Sequence, residues 1–324
     1  MPTDLPSGRE RPRFSGLPTF MRLPELDRVR AEHQPVEWCV YGVPFDGGTT
    51  YHPGARFGPR AVREASQYVK PCSPELGIDL AQRFSMADAG DSPVAPYSCA
   101  DNVGLVQDFA TGLGDPDLTR LLAIGGDHSI ALANLRVAWQ RAGRPASGLP
   151  LIHIDAHLDT VDVVWGERLG HGSFLIRAIE EGVVDPRRTI SLGVRGPLNT
   201  LKDLDFGRDS GITVVGMSRW VEDRAAVLAM LDDFKERVGE DECYLTLDVD
   251  ACDPSVAPGT GTPVCGGFSA AELFMLMRRM AGIRLAGADV VEVCPSRDVA
   301  GITALLAAQA AFQILCIDAA AHPE

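Results

Sequence analysis

Three short segments of the chain gather side chains that bind hard cations. Gly125-Gly126-Asp127-His128-Ser129, Asp155-Ala156-His157-Leu158-Asp159 and Asp248-Val249-Asp250-Ala251-Cys252-Asp253-Pro254 each follow a run of apolar residues. Alternate side chains of an extended segment point the same way, so Asp155, His157 and Asp159 can converge on one spot, as can Asp248 and Asp250. With His128 they make four carboxylates and two imidazoles, a hard, oxygen-rich set that suits Mn(II) or a similar divalent ion. The set holds no cysteine, so a structural zinc cluster is not expected.

Charge sets the number of ions. Four carboxylates crowded at strand ends without cations would repel one another and lose hydration. Two divalent ions restore neutrality, and carboxylates that bridge them hold them roughly 3.5–4 Å apart. A water between the ions would be acidified to hydroxide near neutral pH. Any one of these motifs alone is commonly a turn or a cap; their coincidence, each at the end of a buried strand, points to a site.

Such strand ends need a scaffold. Near-continuous apolar runs at 36–43, 121–126, 151–155, 189–194, 212–215, 244–249 and 289–293 read as strands covered by helices on both faces. Segments with helical spacing lie between them, at 59–69, 130–141, 174–181, 223–238, 270–280 and 303–317. Ser269 and Glu272 form a capping box ahead of one of these. Alternating strands and helices predict an α/β fold with a doubly wound, mainly parallel sheet, in which ligands sit at the C-terminal strand ends. The expected organisation is one domain over 36–324, preceded by an extended arm over 1–35.

Composition narrows the function. At 45% hydrophobic residues the chain has material for a large core. The 44 acidic against 30 basic side chains give a formal charge of -14, which argues against a general nucleic-acid binder. The eight cysteines include no CxxC pair and read as reduced thiols of a cytoplasmic protein. Residues 1–24 lack the apolar stretch of a signal peptide. The apolar segment 302–317 is interrupted by Gln309 and Gln313 and reads as a buried helix, so no membrane association is expected.

The segments GGDHS (125–129), DAHLD (155–159), HGS (171–173), LDVDACDPSVAPGTGTPVCGG (247–267) and VVEVCP (290–295) together resemble the signature set of the ureohydrolases, the arginase and agmatinase family. GVPFDGGTTYHPGARFGPRAVRE (42–64) is similar to the agmatinase-like branch, so the resemblance runs from about Val36 to the end. It implies a three-layer α/β/α fold and a site with two Mn(II) ions, where a metal-bridging hydroxide attacks a guanidinium carbon to give urea and an amine. By that resemblance His128 and Asp159 hold one ion, His157 and Asp250 the other, and Asp155 and Asp248 bridge both. Asp159 also orients the hydroxide, His171 transfers a proton to the leaving amine, and Glu292 binds the guanidinium. The ligand set also admits Ni(II). A homotrimer or homohexamer is implied as well.

The amino-acid clamp typical of arginases is missing from the segments 160–167 and 193–199. A less polar loop containing Trp165 suits a small cationic guanidino substrate without that end, with agmatine, cleaved to putrescine and urea, as the leading candidate. Arg297, if it points into the pocket, favours a carboxylate tail instead, as in 4-guanidinobutyrate or 3-guanidinopropionate. Small alkylguanidines, formimidoylglutamate hydrolysis and a non-catalytic partner subunit are the alternatives. His153 is expected to face away from the ligands, and His52 could line the entrance.

Overall fold

The structure is a computed structural model, and it describes Thr3 and residues 5–322. Its strands are β1 (Trp38–Gly42), β2 (Cys72–Ser73), β3 (Ile78–Asp79), β4 (Met86–Asp91), β5 (Arg120–Ile124), β6 (Leu149–Ile154), β7 (Val184–Val194), β8 (Thr213–Gly216), β9 (Cys243–Asp248) and β10 (Leu285–Val291). β2 and β3 form a small antiparallel hairpin. The other eight make one parallel sheet in the order β4-β1-β5-β10-β9-β6-β7-β8.

Helices are α1 (Gly58–Ser66), α2 (Leu80–Arg83), α3 (Cys99–Thr111), α4 (Ala131–Arg141), α5 (Phe174–Glu180), α6 (Asp205–Ser210), α7 (Met217–Glu222), α8 (Arg224–Val238), α9 (Ala270–Arg279) and α10 (Ile302–Ala319). Period-2 alternation divides the core between the two sheet faces. Trp38, Val40, Leu245 and Leu247 pack with α1, α8, α9 and α10, whereas Cys39, Tyr41 and Tyr244 pack with α3, α4 and α5. The result is the expected three-layer α/β/α arrangement. The buried strands carry few polar residues because each face must bury side chains, and that is why their sequence reads as continuous apolar runs.

Strand β4 had no such signal. Its sequence, Met-Ala-Asp-Ala-Gly-Asp, is small and acidic, and it lies at the sheet edge, pairing with β1 on one side and meeting the single bridge Glu25–Asp88 on the other. Arg63 of α1 holds it by bonding both oxygens of Asp88, with Nε to Oδ2 at 2.8 Å and Nη2 to Oδ1 at 2.9 Å. Helix α3 was also unforeseen, since only Val103, Val106 and Ala110 carry its buried face among the apolar residues.

Helix α10 has the length and hydropathy of a membrane span, but it packs in the core, with Leu306, Phe312, Ile314 and Leu315 all buried. At its end Asp318 accepts hydrogen bonds from Trp38 Nε1 (3.0 Å) and the Leu285 amide (2.9 Å). The segment ahead of β1 carries three single-turn helices, Phe20–Arg22, Leu26–Arg28 and Ala31–His33. It buries Phe20, Met21 and Leu23 in the core, and the Phe20 amide donates to Asp88 Oδ2 at 2.7 Å.

β5 and β6 follow each other in sequence, yet β10 and β9 lie between them in the sheet. The chain therefore winds outward in two directions from these four central strands and leaves a crevice over their C-terminal ends. Register pairs Ile124 with Val290, Val291 with Asp248 and Leu247 with Ile154, so the four ends are level.

Candidate metal centre

Each of the four central strands delivers part of the cluster. After β5 the chain turns through Gly126, where a β-carbon would lie only 1.6 Å from the Phe45 carbonyl oxygen, so a side chain cannot fit. Asp127 then caps the turn His128–Ile130 by accepting from the Ser129 amide at 3.0 Å. After β6 come Asp155, His157 and Asp159, the last in a left-handed conformation (φ 53°). At the end of β9 Asp248 accepts from the Asp250 amide at 2.8 Å, and beyond β10 comes Glu292, also left-handed (φ 67°). Non-glycine residues held this way persist only where the surroundings over-determine them, and functional sites are where they cluster.

His128 is 1% exposed and stacks on Phe174 with ring centroids 4.2 Å apart. Its Nε2 lies 2.7 Å from Thr246 Oγ1, and the Thr246 hydroxyl donates to Asp289 Oδ1. A hydroxyl that donates to a carboxylate accepts from its other neighbour, so Nε2 carries a proton and Nδ1 is the nitrogen turned to the cluster. Nδ1 faces Asp155 Oδ2 at 3.0 Å, Asp159 Oδ2 at 3.0 Å and Asp248 Oδ2 at 3.6 Å; burial opposes charge on the ring, but these carboxylates raise its pKa well above the usual imidazole value. Three buried carboxylates converging on one imidazole nitrogen need a cation among them, a proton or a metal ion, and this oxygen-rich donor set fits a metal ion.

A second group adjoins the first. His157 Nδ1 is 3.0 Å from Asp250 Oδ2 and 3.5 Å from Asp155 Oδ1. Asp155 thus gives one oxygen to each group, as a bridging carboxylate would. Burial opposes its ionisation, but hydrogen bonds from His128, His153 and His157 hold its pKa well below the usual range. Burial and the charges of Asp250 and Asp155 push Asp248 well above it. The structure therefore brings together all six residues singled out from the sequence as ligands.

His153 differs from expectation. Residues two apart on a strand share a side, so it faces the cluster, with Nε2 3.0 Å from Asp155 Oδ2 and Nδ1 3.0 Å from Ser191 Oγ. It orients Asp155 from behind. Thr246 and Asp289 were missed altogether. Thr246 lies two residues before Asp248 and so shares its side, which was the available signal.

His171 is buried between Glu292 and Thr50. Nδ1 is 2.9 Å from Glu292 Oε1, and Nε2 is 2.7 Å from Thr50 Oγ1 and 3.1 Å from the Thr50 amide. Burial lowers its pKa, but the charge of Glu292 and the hydrogen bond to it raise it to about 9. Glu292 is fully buried behind His171; Oε1 also accepts from the His128 amide at 3.0 Å, and Oε2 has no partner.

A cavity of about 640 Å³ opens over this cluster. Thr50, His157, Asp159, His171 and Asp248 line its polar part, and Val161, Val164, Trp165 and Leu198 its apolar part. Trp165 occupies the tip of a tight turn closed by reciprocal Val164–Glu167 hydrogen bonds of 2.9 Å. Neither Arg297, which is exposed, nor His52 is among the described residues that line the cavity. Arg195 instead lies beneath the site, donating from Nη2 to the carbonyls of Asp250 (2.7 Å), Cys252 (3.1 Å) and Val264 (2.6 Å).

The chain is 40% identical over 309 residues to guanidinopropionase of Pseudomonas aeruginosa, covering 95% of this chain and 93% of that protein. It is 35% identical over 312 residues to guanidinobutyrase of the same organism, covering 96% and 95%. The solved structure of proclavaminate amidino hydrolase from Streptomyces clavuligerus superposes with a TM-score of 0.88 at 35% identity, covering 96% of this chain and all of that one. Residues 36–316 match the Arginase family, and with a ureohydrolase cluster at the ends of its central strands the chain belongs to that family.

Proposed function

We propose that this protein hydrolyses a short ω-guanidino compound to urea and the corresponding amine, with agmatine as the first substrate to test and two Mn(II) ions as cofactor. The observation that carries the hydrolytic reading is the convergence of His128 Nδ1 with three buried carboxylates, of which Asp159 and Asp248 line the cavity. His128, Asp155, Asp159 and Asp248 would hold one ion, and His157, Asp155, Asp248 and Asp250 the other. When bound, such ions acidify water to a nucleophile at neutral pH, which a guanidinium, a poor electrophile, requires.

The chain's own groups supply the rest. Asp159 lies on the cavity wall beside the cluster, where its carboxylate can accept a proton from the attacking water. Glu292, fully buried behind His171 and not among the residues lining the cavity, would meet a guanidinium N–H with its unpartnered Oε2 only once the side chains in front of it move aside. His171, its Nδ1 fixed on Glu292, presents Nε2 on the cavity side, where it accepts from the Thr50 amide; Nε2 would first take up a proton, which it can then pass to the departing amine.

The apolar wall of Val161, Val164, Trp165 and Leu198 suits a methylene chain. Among the described residues lining the cavity there is no lysine or arginine, whereas Asp203 is present, and this favours a cationic tail such as that of agmatine. A second reading has its own support: guanidinopropionase and guanidinobutyrase are named for guanidino acids, and Asn199 on the wall could donate to a carboxylate. Urea release from the manganese-loaded protein with agmatine, 3-guanidinopropionate, 4-guanidinobutyrate and arginine separates them. Agmatine turned over with the highest kcat/KM supports the first reading; preference for an acid overturns it in favour of the second. Formamide released from formimidoylglutamate would move the activity out of urea chemistry. A homotrimer or homohexamer, measured by light scattering, belongs to the same proposal.

A further inference from the structure

The segment ahead of β1 contains a second polar cavity that shares no lining residue with the one over the metal centre. Its volume is about 380 Å³, and Arg11, Arg22 and Arg28 line it together with Ser15, Thr19 and Glu25. Glu25 is already paired with Arg28, Nε to Oε2 at 3.1 Å. Arg22 also walls an adjoining cavity of about 500 Å³, to which Arg13 contributes.

These guanidinium groups are held by neutral partners. Arg22 Nη1 donates to the Pro6 carbonyl at 3.1 Å and Arg13 Nη1 to the Gln67 carbonyl at 3.1 Å. Arg22 Nη2 is shielded from solvent and has no hydrogen-bond partner. Among the described residues no carboxylate lies within ion-pair distance of Arg11, Arg13 or Arg22. In a chain of formal charge -14, arginines without a carboxylate partner among the described residues are a local reversal of sign.

The backbone is built to hold it. Met21 and Arg22 are consecutive left-handed residues (φ 50° and 65°). Burial of Met21 and Leu23 and the 2.8 Å bond from the Met21 amide to Ser66 Oγ keep them there. At Gly16 (φ 100°) a β-carbon would lie 2.9 Å from Arg11 Nη2, so the missing side chain leaves room for that guanidinium. Burial lowers the pKa of Arg22, and so do the neighbouring charges of Arg13 and Arg11, the direction expected where cations converge without an anion.

We infer that Arg11 and Arg22, with Arg28 beside them, form a binding site for a small oxyanion of the phosphate class in this cavity. Guanidinium forks match the several charged oxygens of a phosphate group, which carries more charge than a carboxylate.

Calorimetric titration of the manganese-loaded protein with inorganic phosphate, and with pyrophosphate, at ionic strength held constant with chloride, tests this. The expected result is saturable binding of one anion per chain, weakened about tenfold or more in both Arg22→Gln and Arg11→Gln. Arg11 is exposed, so its variant keeps the test valid should Arg22→Gln fail to fold. Absence of binding overturns the inference, as does binding unchanged in both variants, which would place the phosphate on the metal ions. Variants that bind normally but change oligomeric state would show that the arginines meet carboxylates of a second copy, and would also overturn it.

Discussion

Thr246 fixes which nitrogen of His128 can meet a metal. Thr246→Val keeps the shape and removes the acceptor of the Nε2 proton, and loss of such a supporting bond typically weakens metal affinity by about 10–100-fold. Full manganese retention through dialysis against a weak chelator would contradict that role. Thr50→Val takes the hydroxyl from His171 Nε2 and leaves the Thr50 amide. The expected outcome is kcat lowered by about tenfold, with KM and metal content little changed; a change in KM alone would place Thr50 in binding. Proton linkage gives a third test. Burial opposes charge on His157, but the charge of Asp250 and the hydrogen bond to Asp155 raise its pKa to about 12 in the metal-free protein. The imidazole is therefore protonated at neutral pH, ligation requires it neutral, and loading must release a proton. Apparent affinity should then rise with pH, and calorimetric heats should differ between buffers of different ionisation enthalpy; identical heats would contradict the assignment.

At the scale of elements, strands buried on both faces were legible because most side chains in them must be apolar. The residues after them were legible because alternation puts their ligands on one spot. The support behind the ligands was not: the relay from His128 depends on Thr246 of β9 being paired in register with Asp289 of β10, and one strand's sequence says nothing about its neighbour. Buried polar residues inside apolar runs give no periodic signal. His153 was misjudged for a simpler reason, since its spacing of two from Asp155 already put it on the ligand side. The turn after β5 is the tightest point of this scaffold. Gly126→Ala forces a β-carbon toward the Phe45 carbonyl and strains the bonds from the Gly126 amide to Val43 (2.7 Å) and from the Glu292 amide to the Gly126 carbonyl (2.8 Å). Overpacking of this kind should destabilise by about 1–3 kcal/mol in urea unfolding, with loss of bound metal; an unchanged midpoint would show that the turn relaxes freely.

For the whole molecule, the site is also a joint. Four buried carboxylates meet where the chain leaves the centre of the sheet in two directions, and in the metal-free protein their repulsion acts on the strands that define the fold. Chelation should lower the thermal midpoint, because an ion at 100 times its dissociation constant contributes about 2.7 kcal/mol per site. Equal midpoints with and without chelator would detach the metals from folding. The formal charge of -14, which in the sequence argued only against nucleic acid, includes these carboxylates, and two divalent ions bring it to -10. Urea is the direct signature of guanidine hydrolysis at this centre. Manganese-loaded protein incubated with agmatine should release urea and putrescine in equal amounts, and the activity should disappear on chelation and return with manganese. No urea from agmatine, 3-guanidinopropionate, 4-guanidinobutyrate, arginine or a simple alkylguanidine would contradict it.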